Sequence, residues 1–229
     1  GPLGTTVLRT RLITSGAVGR EASAAMGGER PVVDLSCTRQ FRCNAFLDEK
    51  ASQEDVFAFA RPLVDRVTEG FNATIFCYGI TGSGKTYTTT GPPDAGDIFE
   101  EQLGIAQRAA QRLFACIASS AGNDEVFVVE VSCLEVCPGD GVKEVLVDLL
   151  AEGSCDDASQ LEVRQDPLDP QAFVCEGLRR VPVCSPQEFC QLIDRCRLRR
   201  ATMGTTRNSS SSRSHCMWTV TVERLTPSL

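Results

Sequence analysis

Eight consecutive residues carry the densest chemistry in this chain: Gly79-Ile80-Thr81-Gly82-Ser83-Gly84-Lys85-Thr86. They satisfy the pattern G-x-x-x-x-G-K-[ST], in which glycines let backbone N–H groups turn inward around a phosphate without Cβ clashes. Lys85 supplies a cation for β- and γ-phosphate oxygens, and the Thr86 hydroxyl is a ligand type for Mg2+. The pattern also arises by chance in unrelated chains, and a Gly- and Ser-rich surface turn shares its composition. The setting carries the reading. The apolar run 73–78 before it reads as a strand, and a short helix starts at Lys85 with its positive dipole end toward the loop.

A second constellation is Asn208-Ser209-Ser210-Ser211-Ser212-Arg213-Ser214-His215. Taken alone, such a run reads as a flexible serine-rich loop. A basic helix end precedes it and a strand follows it, so it is an ordered connection. Serine hydroxyls can bind Mg2+ or hold a water near a γ-phosphate, and the arginine needs a carboxylate or phosphate partner. A polar loop of this kind is a common sensor of the γ-phosphate.

These two segments need elements to position them. Strands are expected at 7–13 and 31–35, with a Gly-, Ala- and Ser-rich loop between. Ser52 caps a helix whose first turn carries Glu54 and Asp55, with an apolar stripe of Val56, Phe59, Ala60, Leu63, Val64, Val67 and Phe71, ending near Asn72. Gly91-Pro92-Pro93 stops the helix begun at Lys85. Leu103, Ala106, Ala110, Leu113, Phe114 and Ile117 mark the next helix, and 125–136 is a valine-rich strand. Short strands at 161–164 and 178–183 flank a loop containing Asp166-Pro167 and Asp169-Pro170. Ser185-Pro186-Gln187-Glu188 is a capping box, and its helix carries Phe189, Leu192, Ile193 and Cys196. Strand 217–223 comes last, while the acidic run 140–152 reads as a solvated edge. Alternating strands and helices give an α/β class with one central sheet.

Composition narrows the function. The 229 residues suffice for one core, and 42% hydrophobic with 23% charged residues excludes a compositionally disordered chain. A net charge of −7 argues against a generally basic nucleic-acid binder, and the apolar runs are too short for membrane insertion. Twelve cysteines lack any C-x-x-C pair, and His215 is the only histidine, which disfavours zinc. No secretory signal precedes them, so reduced cytosolic thiols are expected. Residues 1–4 read as a tag-removal scar, leaving 5–229 as the domain. His215 reads as a structural hydrogen-bonder and Trp218 as core packing; the arginines of 195–200 read as a solvated helix face with one partner.

The motifs resemble those of a kinesin motor domain across nearly the whole chain. Ile75-Phe76-Cys77-Tyr78 followed by the 79–86 loop and Tyr87-Thr88 is similar to that family's strand and P-loop, and 208–215 to its switch I, N-x-x-S-S-R-S-H. Phe46-Leu47-Asp48 with Gln53-Glu54-Asp55-Val56-Phe57, Val131-Ser132-Cys133-Leu134-Glu135-Val136, Asp148-Leu149-Leu150, Glu176-Gly177-Leu178 and Val183-Cys184-Ser185-Pro186 match further family segments in order. The resemblance implies a P-loop NTPase fold with a central, mostly parallel sheet flanked by helices. It implies ATP/ADP and Mg2+ as ligands, and the microtubule as partner in a cytoplasmic, cytoskeletal setting. Gly79, Thr81, Gly82, Ser83, Gly84, Lys85 and Thr86 would hold the phosphates. Arg9, Arg11 and Tyr87 would contact the base. Asn208, Ser211, Ser212 and Arg213 would form switch I, with Thr86 and Ser212 toward the metal. Arg200 falls at a second switch-proximal arginine, and 166–176 at a tubulin-facing loop.

Departures mark a divergent member. Leu12 stands where the family has proline against adenine, Gln107 replaces the proline of G-I-I-P-R, Thr89 replaces a methionine, and Gly139-Asp140-Gly141 loosens N-E-x-I. The switch II sequence D-x-x-G-S-E does not follow the last strand. The expectation is therefore an ATP-binding portion that is incomplete at the C-terminus, poor at hydrolysis alone, and completed by a further motor segment or a second chain. Two alternatives come from other classes. A non-motile microtubule- or partner-binding module would retain nucleotide weakly. A small-molecule kinase would not need the 208–215 segment.

Overall fold

The computed structural model describes residues 7–9, 32–34, 40–92, 100–120, 126–139, 144–152, 161–167, 169–170, 172–206 and 214–225. In chain order the elements are β1 Val7–Arg9, β2 Val32–Asp34, β3 Gln40–Arg42, β4 Ala45–Leu47, α1 Gln53–Val67, α2 Lys85–Thr90, a 3-10 turn at Glu100–Gln102, α3 Ile105–Ser120, β5 Val126–Cys137, β6 Val145–Asp148, β7 Glu162–Gln165, β8 Phe173–Glu176, β9 Val181–Pro182, α4 Pro186–Thr206 and β10 His215–Leu225. They fall into two units, one comprising 1–66 and 72–109, the other 67–71 and 110–229.

In the first unit, β1 pairs in parallel with β4, and β2 pairs antiparallel with β3. Helix α1 starts where its cap dictates. The Asp55 amide donates to Ser52 Oγ at 3.1 Å, and Asp55 Oδ2 accepts the Ser52 amide at 2.8 Å, a reciprocal box that satisfies two end groups. The Ser52 hydroxyl and amide hold the Asp55 carboxyl below its ordinary value. The sign follows directly. This contribution is fully present above the unfolded value of about 3.9 and fades as pH falls through the lower folded value. An acid titration of Asp55→Asn is expected to lack that component of the wild-type stability profile.

The buried face of α1 is Gln53, Val56, Phe57, Ala60 and Val64. Phe59 and Leu63, expected in the stripe, are each 38% exposed. At 100° per residue they lie beside the stripe's edge at Val56, whereas Phe57 sits under it. Helix α3 starts at Gly104, whose amide donates to Gln107 Oε1 at 3.1 Å. Gln107 Nε2 reaches on to the Thr90 carbonyl at 2.5 Å, so this buried amide ties α2 to α3. A Cβ on Gly104 would lie 2.6 Å from Gly91 N and Thr89 O. Gly104→Ala is therefore expected to cost about 1–3 kcal/mol, read as a lowered urea midpoint.

The second unit is organised on β5. It pairs antiparallel with β10 along eleven positions, from His215↔Val136 to Leu225↔Val126. On its other side it pairs antiparallel with β6 and with β9. β7 and β8 form a separate antiparallel ribbon. Helix α4 begins at the expected box, where the Glu188 amide donates to Ser185 Oγ at 3.2 Å and Glu188 Oε2 accepts the Cys184 amide at 2.7 Å. Phe189, Leu192, Ile193 and Cys196 are all buried, and the Phe189 ring meets Trp218 edge-on at 5.7 Å.

Four expectations are corrected. Residues 145–150 are not a solvated edge: Val147, Asp148, Leu149 and Leu150 are buried, and Asp148 accepts the amides of Leu150 and Arg179, each at 2.8 Å. Those two donors replace water around the carboxylate, which lets an acidic residue end a buried strand. Strand β8 lies where a loop was expected, closed by the Asp166 amide on the Ala172 carbonyl at 2.9 Å. The α/β class holds, but among the described ladders only β1 with β4 is parallel, where a mostly parallel sheet was expected. The run 73–78, which a β-loop-α connection would pair in parallel, joins no ladder among the described residues. A strand exists only as a pair, and no described segment pairs with this one.

Candidate functional site

The 79–86 loop bends as its glycines allow. Gly84 has φ 90° and ψ 12°, a left-handed turn that delivers the chain into α2, and the Thr88 amide bonds the Gly84 carbonyl at 2.8 Å. The Ser83 amide closes a tighter turn on the Ile80 carbonyl at 3.2 Å. Space at Gly79 is also taken, since a Cβ there would stand 2.5 Å from Ser83 Oγ.

Lys85 folds back over this loop. Its Nζ donates to the Gly79 carbonyl at 2.7 Å and to the Ile80 carbonyl at 2.8 Å. Both partners are neutral carbonyl acceptors on the loop itself. Thr86 and Thr81 are exposed beside it, and Ser83 is half-buried. An ammonium, three hydroxyls and a bent run of amides form a donor set suited to phosphate oxygens, with hydroxyl oxygen available to a hard divalent cation. The loop's far side is anchored through α2: the buried Gln53 donates from Nε2 to the Tyr87 carbonyl at 2.6 Å, and Gly91, at φ 79°, ends the helix by bonding the same carbonyl at 2.9 Å.

The strand expected before the loop is the main surprise. Ile75 is 42% exposed, Phe76 76% and Tyr78 90%, with the last two rings stacked at 6.4 Å. Together these side chains make a contiguous apolar patch on the surface of the described residues.

Gly79, Thr81, Gly82, Ser83, Gly84, Lys85, Thr86 and Tyr87 thus converge in one loop and helix start. Arg9 lies in β1, positioned there by backbone alone. Arg11, Asn208, Ser211, Ser212 and Arg213 lie outside the described residues. At the end of that second segment, in the other unit, Ser214 Oγ donates to Glu135 Oε1, and Arg200 Nε meets the same oxygen at 3.0 Å. Glu135 is buried, so this carboxylate, arginine and hydroxyl form one charged knot where α4, β5 and β10 meet. The sequence marked Arg200 but gave Glu135 no role. Its signal was a glutamate in an otherwise apolar strand, which calls for a cationic partner. Gln53 and Gln107 were also unassigned, because neutral amides in helices carry no charge signal.

Loop geometry and mixed α/β layers define a P-loop NTPase fold. The kinesin motor domain family model matches residues 27–228, and the chain belongs to that family. It is 35% identical over 189 residues to the Arabidopsis thaliana kinesin-like protein KIN-14G, covering 81% of this chain and 17% of that protein. It is 36% identical over 207 residues to mouse kinesin-like protein KIF7, covering 90% and 14% respectively. A solved kinesin, described as fast and for its ATPase mechanism and interactions with microtubules, superposes with a TM-score of 0.78 at 29% identity. That match covers 96% of this chain and 59% of the solved one. The chain thus spans under a fifth of these two curated relatives. No helix among the described residues is long and apolar enough to cross a membrane.

Proposed function

We propose that this chain is the ATP-binding portion of a microtubule-based kinesin motor, in which the 79–86 loop takes the nucleotide phosphates. The observation that carries the reading is the Lys85 ammonium, hinged over the loop on two neutral carbonyls. Incoming β- and γ-phosphate oxygens offer that cation a stronger partner than the carbonyls do. Loop amides and the Ser83 hydroxyl orient the phosphate chain. Arg9 and Arg11 flank the base, and Tyr87 stacks on it. Thr86 and Ser212 would hold Mg2+, which would supply positive charge to offset that of the phosphates. Asn208 helps to close the γ-phosphate pocket, Ser211 belongs with it to switch I, Arg213 supplies that segment's salt-bridge arginine, and rearrangement of switch I on phosphate release alters affinity for the microtubule. The 166–176 ribbon tip supplies one tubulin contact. The working site is cytoskeletal, in the cytoplasm.

Hydrolysis needs a further motor segment, from the same or a second chain. The uncovered 75–78 run supports this, because a strand laid beside it would bury Phe76 or Tyr78 and pair its backbone. The test is ATP turnover with microtubules, measured on this chain and on a chain extended to the full length of the solved kinesin. Slow or absent turnover from the short chain and microtubule-stimulated turnover from the long one are expected. Motor-like turnover from the short chain alone contradicts the completion reading.

A further inference from the structure

Beside the charged knot of the second unit lies a cluster of thiols that nucleotide chemistry does not use. Cys133, in β5, and Cys216, second residue of β10, approach to 3.6 Å between sulfurs. Cys216 stands opposite Glu135 in the ladder and Cys133 opposite Trp218, so the two thiols are diagonal neighbours on one face of the sheet. Cys196 of α4 is close enough to hydrogen-bond Cys133, and it donates to the Leu149 carbonyl at 3.7 Å. Cys133 is wholly buried, while Cys216 is half-buried at the end of its strand.

We propose that Cys133 and Cys216 form a redox modification site, closed to a disulfide by peroxides at the start of β10.

The two sulfurs differ in the way such a site requires. Burial, with hydrogen bonds to Cys196 and Cys216, pushes the Cys133 thiol far above its ordinary value. The Cys133 S–H donating to Cys216 Sγ holds the Cys216 thiol below its ordinary value against the cost of burial; Arg200 adds to this and Glu135 opposes it. Cys216 is therefore the attacking thiolate and Cys133 the resolving thiol. In the first step Cys216 sulfur attacks one oxygen of hydrogen peroxide. The O–O bond breaks, Cys216 becomes a sulfenic acid, and the departing hydroxide leaves as water after taking a proton. In the second step Cys133 loses its proton and its sulfur attacks the sulfenic sulfur. The S–O bond breaks and a second water leaves. Two electrons pass from the two thiols to one peroxide, and a dithiol reverses the reaction.

Closing 3.6 Å to a bond of about 2.05 Å requires side-chain rotation and a small shift of β10's first residues. Those residues are the strand's end, where local opening is least costly. The shift acts on Ser214, just before β10, and on its bond to Glu135.

The test treats the reduced chain with hydrogen peroxide, blocks remaining thiols with N-ethylmaleimide, and maps unreduced peptides by mass spectrometry. A Cys133–Cys216 cross-link is expected to form about tenfold faster than oxidation of the exposed Cys184, and to disappear with dithiothreitol. In Cys133→Ser, whose hydroxyl keeps a donor beside Cys216 but forms no disulfide, dimedone is expected to label Cys216, because the sulfenic acid has lost its resolving thiol. Oxidation of Cys184 before any cross-link in the unaltered chain overturns the proposal. So does a dimedone-silent Cys216 in a variant whose circular dichroism matches the parent.

Discussion

Lys85→Ala is expected to weaken binding of a fluorescent ADP by roughly 10- to 150-fold, the equivalent of losing a hydrogen bond to a charged group worth about 1.5–3 kcal/mol. Without ligand, the side chain is held by its own loop. Its ammonium bonds the Gly79 and Ile80 carbonyls, which are neutral acceptors on its own loop. Phosphate oxygens compete with those carbonyls on favourable terms, so the free energy lost on substitution is that of the charged contact. Stability should change little, because the alanine leaves two half-exposed carbonyls that water can satisfy. A drop in affinity with an unchanged urea midpoint separates this role from a structural one. Equal affinity for the two proteins removes Lys85 from the site.

The second large effect lies in the other unit. Arg200→Ala is expected to lower stability by about 3–5 kcal/mol, because it strands a buried carboxylate. Glu135 has 4% of its side chain exposed, and Arg200 Nε at 3.0 Å is its cationic partner. The Ser214 hydroxyl remains, but one neutral donor does not balance a buried charge. Glu135→Gln on the Arg200→Ala background is expected to recover part of the loss, since the stranded charge is gone. Urea midpoints of the two single variants and the double variant measure the coupling. If the double variant falls as far as the sum of the singles, the pair is not coupled and the knot is not what fixes the start of β10.

The local signals in the sequence transferred well because they depend on neighbours a few residues apart. Ser52 with Asp55 and Ser185 with Glu188 cap α1 and α4 as their spacing requires. The 79–86 pattern forms the expected turn into a helix. Non-local features were harder to read. The 73–78 run has a strand's composition, yet composition cannot supply the neighbour that makes a ladder. β6 was hidden by flanking acids, since Asp148 looks solvated until the amides of Leu150 and Arg179 are found beside it. β8 was hidden by the Asp-Pro pairs that turn the chain just before it. Gln107 registered only as a missing proline, although it caps α3 and holds Thr90. At the candidate site, the loop residues were legible as a motif. The Glu135–Arg200–Ser214 knot was not, because Glu135 lies 65 residues from Arg200 and 79 from Ser214 along the chain.

Amide hydrogen exchange of the unaltered chain, with and without Mg2+ and ADP, tests the central claim most directly. Slowed exchange in the amides of 81–86 is the predicted result, because those N–H groups would turn onto phosphate oxygens. Unchanged exchange across 79–86 at saturating nucleotide, or protection confined to other segments, would contradict the assignment of this loop as the nucleotide site.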